Sequence, residues 1–156
     1  MHSNEQKKEF ERDLGSFQGE KMVTAFDVEP NKLIDKAAQK LKEMKLHKPV
    51  FVGLVKSGAH ASRPPQDEDF WYKRCASILR QAYVNNTVGI SSLRRHYGGR
   101  KTRGVKPSRH APAGGSTIRK AMQELEKAGL LSKQKVGRVL SPKGRKFLDA
   151  VAKESV

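Results

Sequence analysis

The stretch STIRKAMQELEKAGLLSKQKVGRVLSP, residues 116–142, decides the fold class of this chain. Its first half has apolar residues at helical spacing and ends at Gly129, a residue type common just after a helix. Short apolar runs on either side of Gly137 predict a small β-hairpin, and the pair Ser141-Pro142 predicts the start of another helix. The apolar stripe of the first predicted helix consists of Ile118, Met122 and Leu125.

Two more helices are predicted before this stretch. One runs from a cap at Asp67 or Asp69 to about residue 84, and a shorter one covers residues 89–96. Three helices followed by a two-stranded hairpin are typical of a winged helix-turn-helix domain, in which helix 116–128 takes the recognition-helix position and residues near Lys135 form the wing. The predicted buried stripe of the first of these helices consists of Trp71, Cys75, Ile78, Leu79 and Ala82.

The sequence before residue 69 predicts an extra N-terminal helix followed by a connector. Pro30 suits the first turn of a helix that we expect to end near Met44. Residues 47–69 are punctuated by Gly and Pro, and we expect an irregular connector there. Its apolar residues Val50, Phe51, Val52, Leu54 and Val55 are expected to pack on the core.

The predicted domain organisation is simple. Residues 1–21 are polar and mixed in charge, so we expect a flexible N-terminal extension. Residues 22–156 are expected to form a single domain. The predicted fold class is mainly α, a winged helix-turn-helix-like domain with an extra N-terminal helix and a small β-hairpin wing.

Charge is distributed unevenly along the chain. Lys and Arg total 32 and Asp and Glu total 16, which gives a net charge of +16 and a pI near 10.2. Residues 1–69 carry 12 basic and 12 acidic side chains, whereas residues 70–156 carry 20 basic and 4 acidic ones. So large a one-sided excess is costly unless a polyanion neutralises it, and counterion release from phosphates favours nucleic acid as the partner over a merely solubilising surface.

The main candidate site is a basic loop over residues 94–109, which contains seven basic side chains and no acidic one. Gly98, Gly99, Gly104 and Pro107 are expected to break regular structure there. Arginine offers bidentate donors to phosphate, and a long irregular loop suits an RNA surface better than a DNA groove. We favour phosphate binding over a solvated loop. The predicted contact residues are Arg94, Arg95, Arg100, Lys101, Arg103, Lys106 and Arg109.

Arg119 and Lys120 extend this site into the helix that follows. Cations near the start of a helix face its positive dipole end, so their presence favours an anion nearby. Ser116 or Thr117 is expected to cap the helix, and the free amides beside them suit a phosphate. Ordinary capping explains the same two residues and stays open as an alternative.

Other chemistries find little support in the sequence. The single cysteine, Cys75, permits no internal disulfide, and the five histidines share no metal-ligand spacing, so we expect neither metal nor cofactor. Glu124 and Glu126 point to different helix faces, and no catalytic carboxylate pair is predicted. The aromatic run 70–72 is expected to pack rather than to stack on bases. No apolar segment approaches bilayer length, and no secretory signal is recognisable.

Several motifs together resemble one known family. They are VKSGAH at 55–60, WYKRCAS at 71–77, YGGR at 97–100, RGVKP at 103–107 and IRKAMQELE at 118–126. The chain resembles the archaeal and eukaryotic small-subunit ribosomal protein family numbered nineteen-e, over residues 22 to about 153. Archaeal members are the more similar, judged by residues 100–107.

The resemblance implies a function and a place in a larger particle. It implies a winged-helix-like protein in the head of the small ribosomal subunit, bound to the 3′ major domain of the rRNA and needed for subunit maturation and translation. The implied partners are small-subunit rRNA and neighbouring ribosomal proteins, with the chain a monomer within cytoplasmic ribosomes and without a small-molecule substrate. Arg74 and Arg119 match basic family positions important for folding or RNA contact. Lys56, Arg100 and Arg103 match its basic surface, and Arg63 is expected to join Lys56 at a second contact edge.

A winged-helix DNA-binding transcription regulator is the alternative hypothesis. A regulator normally dimerises to match two half-sites, and the sequence offers no spare apolar helix for a dimer interface. A regulator would also concentrate its charge on the recognition helix and wing, whereas here the basic segment before that helix dominates.

Overall fold

The computed structural model describes residues 23–155, so the flexible extension predicted for residues 1–21 lies outside the described residues. The described chain contains five helices and five short strands. The helices are α1 (Pro30–Glu43), α2 (Phe70–Asn85), α3 (Ile90–His96), α4 (Gly115–Lys127) and α5 (Pro142–Lys153). The strands are β1 (Thr87–Val88), β2 (Gly99–Arg103), β3 (Lys106–Ala111), β4 (Leu131–Lys133) and β5 (Arg138–Leu140).

The winged-helix prediction is confirmed. Helices α2, α3 and α4 are followed by the antiparallel pair β4–β5, in which Leu131 lies opposite Leu140 and Lys133 opposite Arg138. The short strand β1 pairs with the other edge of β5, so the wing is a three-stranded sheet of order β1-β5-β4. The α4–wing–α5 succession is the one predicted from residues 116–142.

Helix α2 forms the centre of the core. It packs against α1, α4 and α5 and against strands β1 and β5. The apolar stripe predicted for it is confirmed, because each of its members is at most 1% exposed: Trp71, Cys75, Ile78, Leu79 and Ala82. Fully burying one large apolar side chain contributes about 1.5–3 kcal/mol, so this stripe is a main source of stability.

The sequence predicted the N-terminal capping residue correctly for α5 but not for α4. Ser141 caps α5 as predicted, since its Oγ accepts the Gly144 amide at 3.0 Å. The predicted cap of α4 was wrong. Gly114 occupies the N-cap position without a side-chain bond, and Thr117 is buried inside the first turn, where it contributes to packing.

The connector is irregular as predicted, but part of its expected packing was wrong. Val52 is buried and Phe51 is half-buried, whereas Val50, Leu54 and Val55 are 88%, 75% and 44% exposed. A tight turn causes this difference, because the Val55 amide donates to Phe51 O and the backbone between them has φ +98° at Gly53. The turn directs only one side of the apolar run toward the core.

Gly144 allows α5 to lie close to the turn that follows α4. A methyl group at this position would overlap the carbonyl oxygen of Leu130 and lie 2.8 Å from Leu140 Cδ1. We expect Gly144→Ala to lower the free energy of unfolding by about 2 kcal/mol, because the overlap outweighs the better helix propensity of alanine. Chemical denaturation measures this change.

Gly89→Ala is the matched control. No heavy atom lies within 4 Å of a methyl group at Gly89, which is the N-cap of α3. The expected loss there is below about 1 kcal/mol. Equal stability of the two variants would contradict the close packing of α5 on Leu130.

Candidate nucleic-acid interface

The basic segment 94–109 is not a loop, and that prediction was wrong. Helix α3 ends at His96, and β2 and β3 then form an antiparallel hairpin that we call the basic hairpin, residues 99–111. The residues expected to break regular structure fit a hairpin instead. Gly104 adopts φ +67° in the turn, and Pro107 is tolerated because each strand of a two-stranded sheet is an edge strand.

The basic hairpin places like charges opposite one another. Lys101 lies opposite Arg109, and Arg103 lies opposite Lys106. Opposite residues of an antiparallel pair point to the same face, where like charges destabilise the pairing. Residues 100–110 are all exposed, and no ion pair within residues 23–155 involves a cation of the hairpin. An external anion would therefore relieve the repulsion within the hairpin.

The cations lie on both faces of the basic hairpin. Arg100 is opposite His110, one position along from the Lys101–Arg109 pair. Because side chains alternate between faces along a strand, Arg100 lies on the other face from Lys101. The hairpin thus presents positive charge on two sides, as a protrusion inserted between phosphate backbones would.

Backbone hydrogen bonds fix the end of the hairpin that leads into α4. The Gly114 amide donates to Ser57 O at 2.7 Å, and Gly58 forms an isolated antiparallel bridge with Ala113. The Ala113 amide donates to Arg94 O at 2.9 Å, and Arg94 Nε donates back to Ala113 O at 3.1 Å. We call this end of the hairpin, where residues 111–114 meet the connector, its root. The predicted contact residue Arg94 therefore also holds the root in place.

Helix α4 begins directly after this root. Arg119 and Lys120 are exposed in its first two turns, and no acidic residue lies in the first turn. The structure thus brings the hairpin and the start of α4 together, with positive charge added to the positive end of the helix dipole. The exposed cations of this region are Arg94, Arg95, Arg100, Lys101, Arg103, Lys106, Arg109, Arg119 and Lys120.

Arg74 has a different environment from the other predicted contact residues. Its guanidinium lies 4.0 Å from the ring centroid of Tyr97 and 5.1 Å from that of Phe70, and it is half-buried. Burial lowers the pKa of Arg74 and raises the pKa of Tyr97, whose hydroxyl lies 2.8 Å from Ser77 Oγ. The contact is a cation–π interaction that ties α2 to the end of α3.

The two predicted contact residues of the connector lie in different positions relative to the hairpin. Lys56 is exposed and adjoins Ser57, which bonds to Gly114, so the structure brings it to the root of the hairpin. Arg63 is also exposed, and among the residues described no hydrogen bond or bridge links it to that root.

The aromatic run packs as predicted. Trp71 is fully buried, and Phe70 and Tyr72 are half-buried against the core. Cys75 is buried as well, and burial raises the pKa of its thiol strongly.

The sequence predicted that the wing hairpin extends the basic surface but named no contact residue in it, and a second feature, in the connector, was not predicted. Strand β4 ends at the exposed Lys133, and the wing loop that follows carries the exposed Lys135. An open cleft of about 690 Å³ lies between Lys135, Val136 and Thr87 of β1. His60 of the connector packs against Gly99 at the start of β2. The absence of acidic residues around the wing was the available signal for the first feature, and the second depends on a long-range contact.

Within residues 23–155, no group of His, Cys, Asp and Glu side chains could hold a metal ion. No helix of the same residues has the length and apolar character needed to cross a membrane.

Comparison with known proteins gives a consistent result. The family model described as ribosomal protein S19e matches residues 24–156. The chain is 45% identical over 137 residues to small ribosomal subunit protein eS19 of Aeropyrum pernix, a match that covers 85% of this chain and 90% of that protein. The eS19 proteins of Emericella nidulans and Thermoplasma volcanium are 41% and 40% identical, with 86% of this chain and 93% and 91% of those proteins covered.

The like-charge pairing leads to a prediction about the free protein. Lys101→Glu turns the Lys101–Arg109 pair into an attractive one. We expect amide hydrogen exchange in residues 99–111 to slow about two- to fivefold, as a cross-strand pair worth about 0.5–1 kcal/mol would produce. Lys135→Glu changes the net charge equally in the wing loop and should leave those amides unaffected. Unchanged or faster exchange in the Lys101 variant would contradict repulsion across the hairpin.

Proposed function

The chain belongs to the ribosomal protein S19e family, and we propose that it binds small-subunit rRNA through the basic hairpin and the start of α4. The family membership predicted from the sequence is confirmed. The curated relatives are named as small ribosomal subunit proteins, so the chain has a structural role in the ribosome, which locates it with cytoplasmic ribosomes.

The observation that carries the RNA-binding proposal is the unpaired like charge of the basic hairpin. The pairs Lys101–Arg109 and Arg103–Lys106 oppose hairpin formation, and neither has an acidic partner among the described residues. A folded domain gains no stability from such a protrusion. Phosphates on either side would neutralise it and release counterions, and both effects favour binding.

The ion pairs of α4 support an RNA surface over the transcription-regulator alternative. Glu124 pairs with Lys127 at 2.8 Å, and Glu126 pairs with Arg138 of the wing. A regulator would use the charges of its recognition helix and wing on DNA, whereas here Glu126 of α4 and Arg138 of the wing neutralise each other. Free cations are instead found before and at the start of α4, which suits contact with phosphate backbones.

The finer assignments belong to the same proposal. We place the protein in the head of the small subunit, on the 3′ major domain of the rRNA, beside neighbouring ribosomal proteins and as a single copy. Residues 22–156 act as one RNA-binding domain that follows an N-terminal extension, residues 1–21, and the protein supports subunit maturation and translation. Arg63 and Lys56 form a second contact edge.

Charge reversal in β2 tests the RNA-binding site. We expect Arg100→Glu, Lys101→Glu and Arg103→Glu together to weaken binding to a transcript of the 3′ major domain at least about tenfold at moderate salt. Loss of three phosphate contacts should also reduce the slope of log affinity against log salt by about 2. Thermal unfolding should change little, because these side chains are exposed.

The matched control reverses three exposed lysines elsewhere, Lys32, Lys45 and Lys48. This variant has the same net charge as the β2 variant, so it should retain most of the affinity if the site is local. Equal weakening by both variants would indicate nonspecific attraction, and unaltered affinity of the β2 variant would contradict the proposed site.

A second prediction concerns the particle in which the protein resides. In a sucrose gradient of cell lysate, the chain is expected to co-migrate with the small ribosomal subunit, and the β2 variant is expected to shift partly to the free fractions. A wild-type pool that is free or bound to DNA would support the transcription-regulator alternative.

A further inference from the structure

His60 lies at the point where the connector meets the basic hairpin. A methyl group at Gly99, the first residue of β2, would lie 3.0 Å from His60 Cδ2 and 3.4 Å from its Cγ. A methyl group at Gly58 would lie 2.9 Å from His60 Nδ1 on the other edge of the ring. The imidazole therefore occupies the space between two glycines, one in the connector and one in the hairpin.

The contact with His60 joins the start of β2 to the connector. The three heavy atoms nearest to a methyl group at Gly99 all belong to His60. The neighbouring Gly98 packs instead on His110 and on the carbonyl oxygen of Ala111, which belong to β3 of the same hairpin. His110 can shape the hairpin internally, whereas His60 fixes the hairpin relative to the connector.

Packing, rather than hydrogen bonding, holds the His60 ring. Its Nδ1 is buried and has no hydrogen-bond partner in the structure. Buried polar atoms are normally paired, so the contact of this ring edge with Gly58 is one of packing alone. The imidazole thus acts as a flat wedge against Gly99.

The two strands of the hairpin are anchored at separate places. The end of β3 is fixed by backbone contacts of Ala113 and Gly114 with Gly58 and Ser57. The start of β2 is packed on His60. Tyr97 and Gly98 join β2 to the end of α3, where their amides donate to Leu93 O and Arg95 O. The His60 contact adds a side-chain contact at this end and so restricts the direction of the hairpin.

A small change of direction at the root has a large effect at the tip. Strands of five to six residues at about 3.3 Å per residue extend about 17 Å. A rotation of about 10° at the root moves the tip by about 3 Å, which is the full length of a hydrogen bond. The cations near the turn would then miss phosphates that Arg119 and Lys120 still reach.

We propose that His60 is a positioning residue for RNA binding: wedged between Gly58 and Gly99, it sets the direction of the basic hairpin relative to α4. This role rests on the proposed rRNA-binding function and deepens it. In this role His60 acts through Gly99, because the ring edges that carry Nδ1 and Cδ2 face the two glycines.

A double-mutant cycle on full-length protein tests the wedge. We expect His60→Ala and Gly99→Ala each to weaken binding to a transcript of the 3′ major domain about fivefold, the first by loosening the root and the second by crowding the ring. The double variant restores contact, because the new methyl group occupies space that the ring has left. Its loss should be smaller than the product of the single losses by about threefold or more, as for residues in direct contact.

Hydrogen exchange without RNA separates positioning from general destabilisation. His60→Ala should speed amide exchange in residues 99–111 and leave the wing amides, residues 131–140, unchanged. His47→Ala is the matched control, since His47 is an exposed histidine of the same connector, and it should alter neither exchange nor affinity.

Each contrary outcome has a distinct meaning. Wild-type RNA affinity in His60→Ala, while the β2 charge reversal weakens binding, would overturn the positioning role alone. Faster exchange throughout the domain in His60→Ala would also overturn the positioning role, because His60 would then be an ordinary packing residue. Single losses that simply multiply in the double variant would overturn the positioning role as well. Unchanged affinity after the β2 charge reversal would instead overturn the proposed function, whatever His60→Ala shows.

Discussion

The burial of α2 is the interaction on which the rest of the structure depends. Trp71, Cys75, Ile78 and Leu79 are completely buried, and α1, α4 and α5 all pack on this helix. Because these contacts supply a core of their own, the domain does not need the basic hairpin for stability. A stable scaffold can carry a protrusion whose own interactions are unfavourable, which is how binding segments are commonly mounted on rigid folds.

That separation explains how the repulsion between Lys101 and Arg109 is tolerated in the free protein. A like-charged cross-strand pair costs a few tenths of a kcal/mol to about 1 kcal/mol, which is small beside the burial of the α2 stripe. The repulsion is repeated at the Arg103–Lys106 pair, however. Backbone contacts at the root of the hairpin offset it, where Ser57 and Gly58 of the connector meet Ala113 and Gly114. The same charges that weaken the free hairpin would strengthen its complex with phosphate.

The sequence predicted elements whose signals are local. The stripe of α2 and the Ser141-Pro142 start of α5 follow from spacing and capping, and both are confirmed. The basic hairpin was missed because residues 100–110 are exposed on both faces, so the strands lack the alternation of apolar and polar residues that identifies a half-buried strand. Two contacts join residues far apart in the chain: Arg74 stacks on Tyr97, and His60 packs against Gly99. No local sequence pattern predicts either contact.

The charge asymmetry between the halves of the chain reflects the same separation between a stable core and a charged binding segment. Cations of the first half are used in structure: Lys40 pairs with Glu154, and Lys42 pairs with Asp69 at 2.8 Å. In the second half, the two acidic residues of α4 are engaged by Lys127 and Arg138, which leaves the cations of the basic hairpin without acidic partners. The neutral first half therefore does more than complete the core. Its connector reaches the root of the hairpin through Ser57, Gly58 and His60, so a segment that carries little net charge determines where the strongest positive charge of the protein is presented.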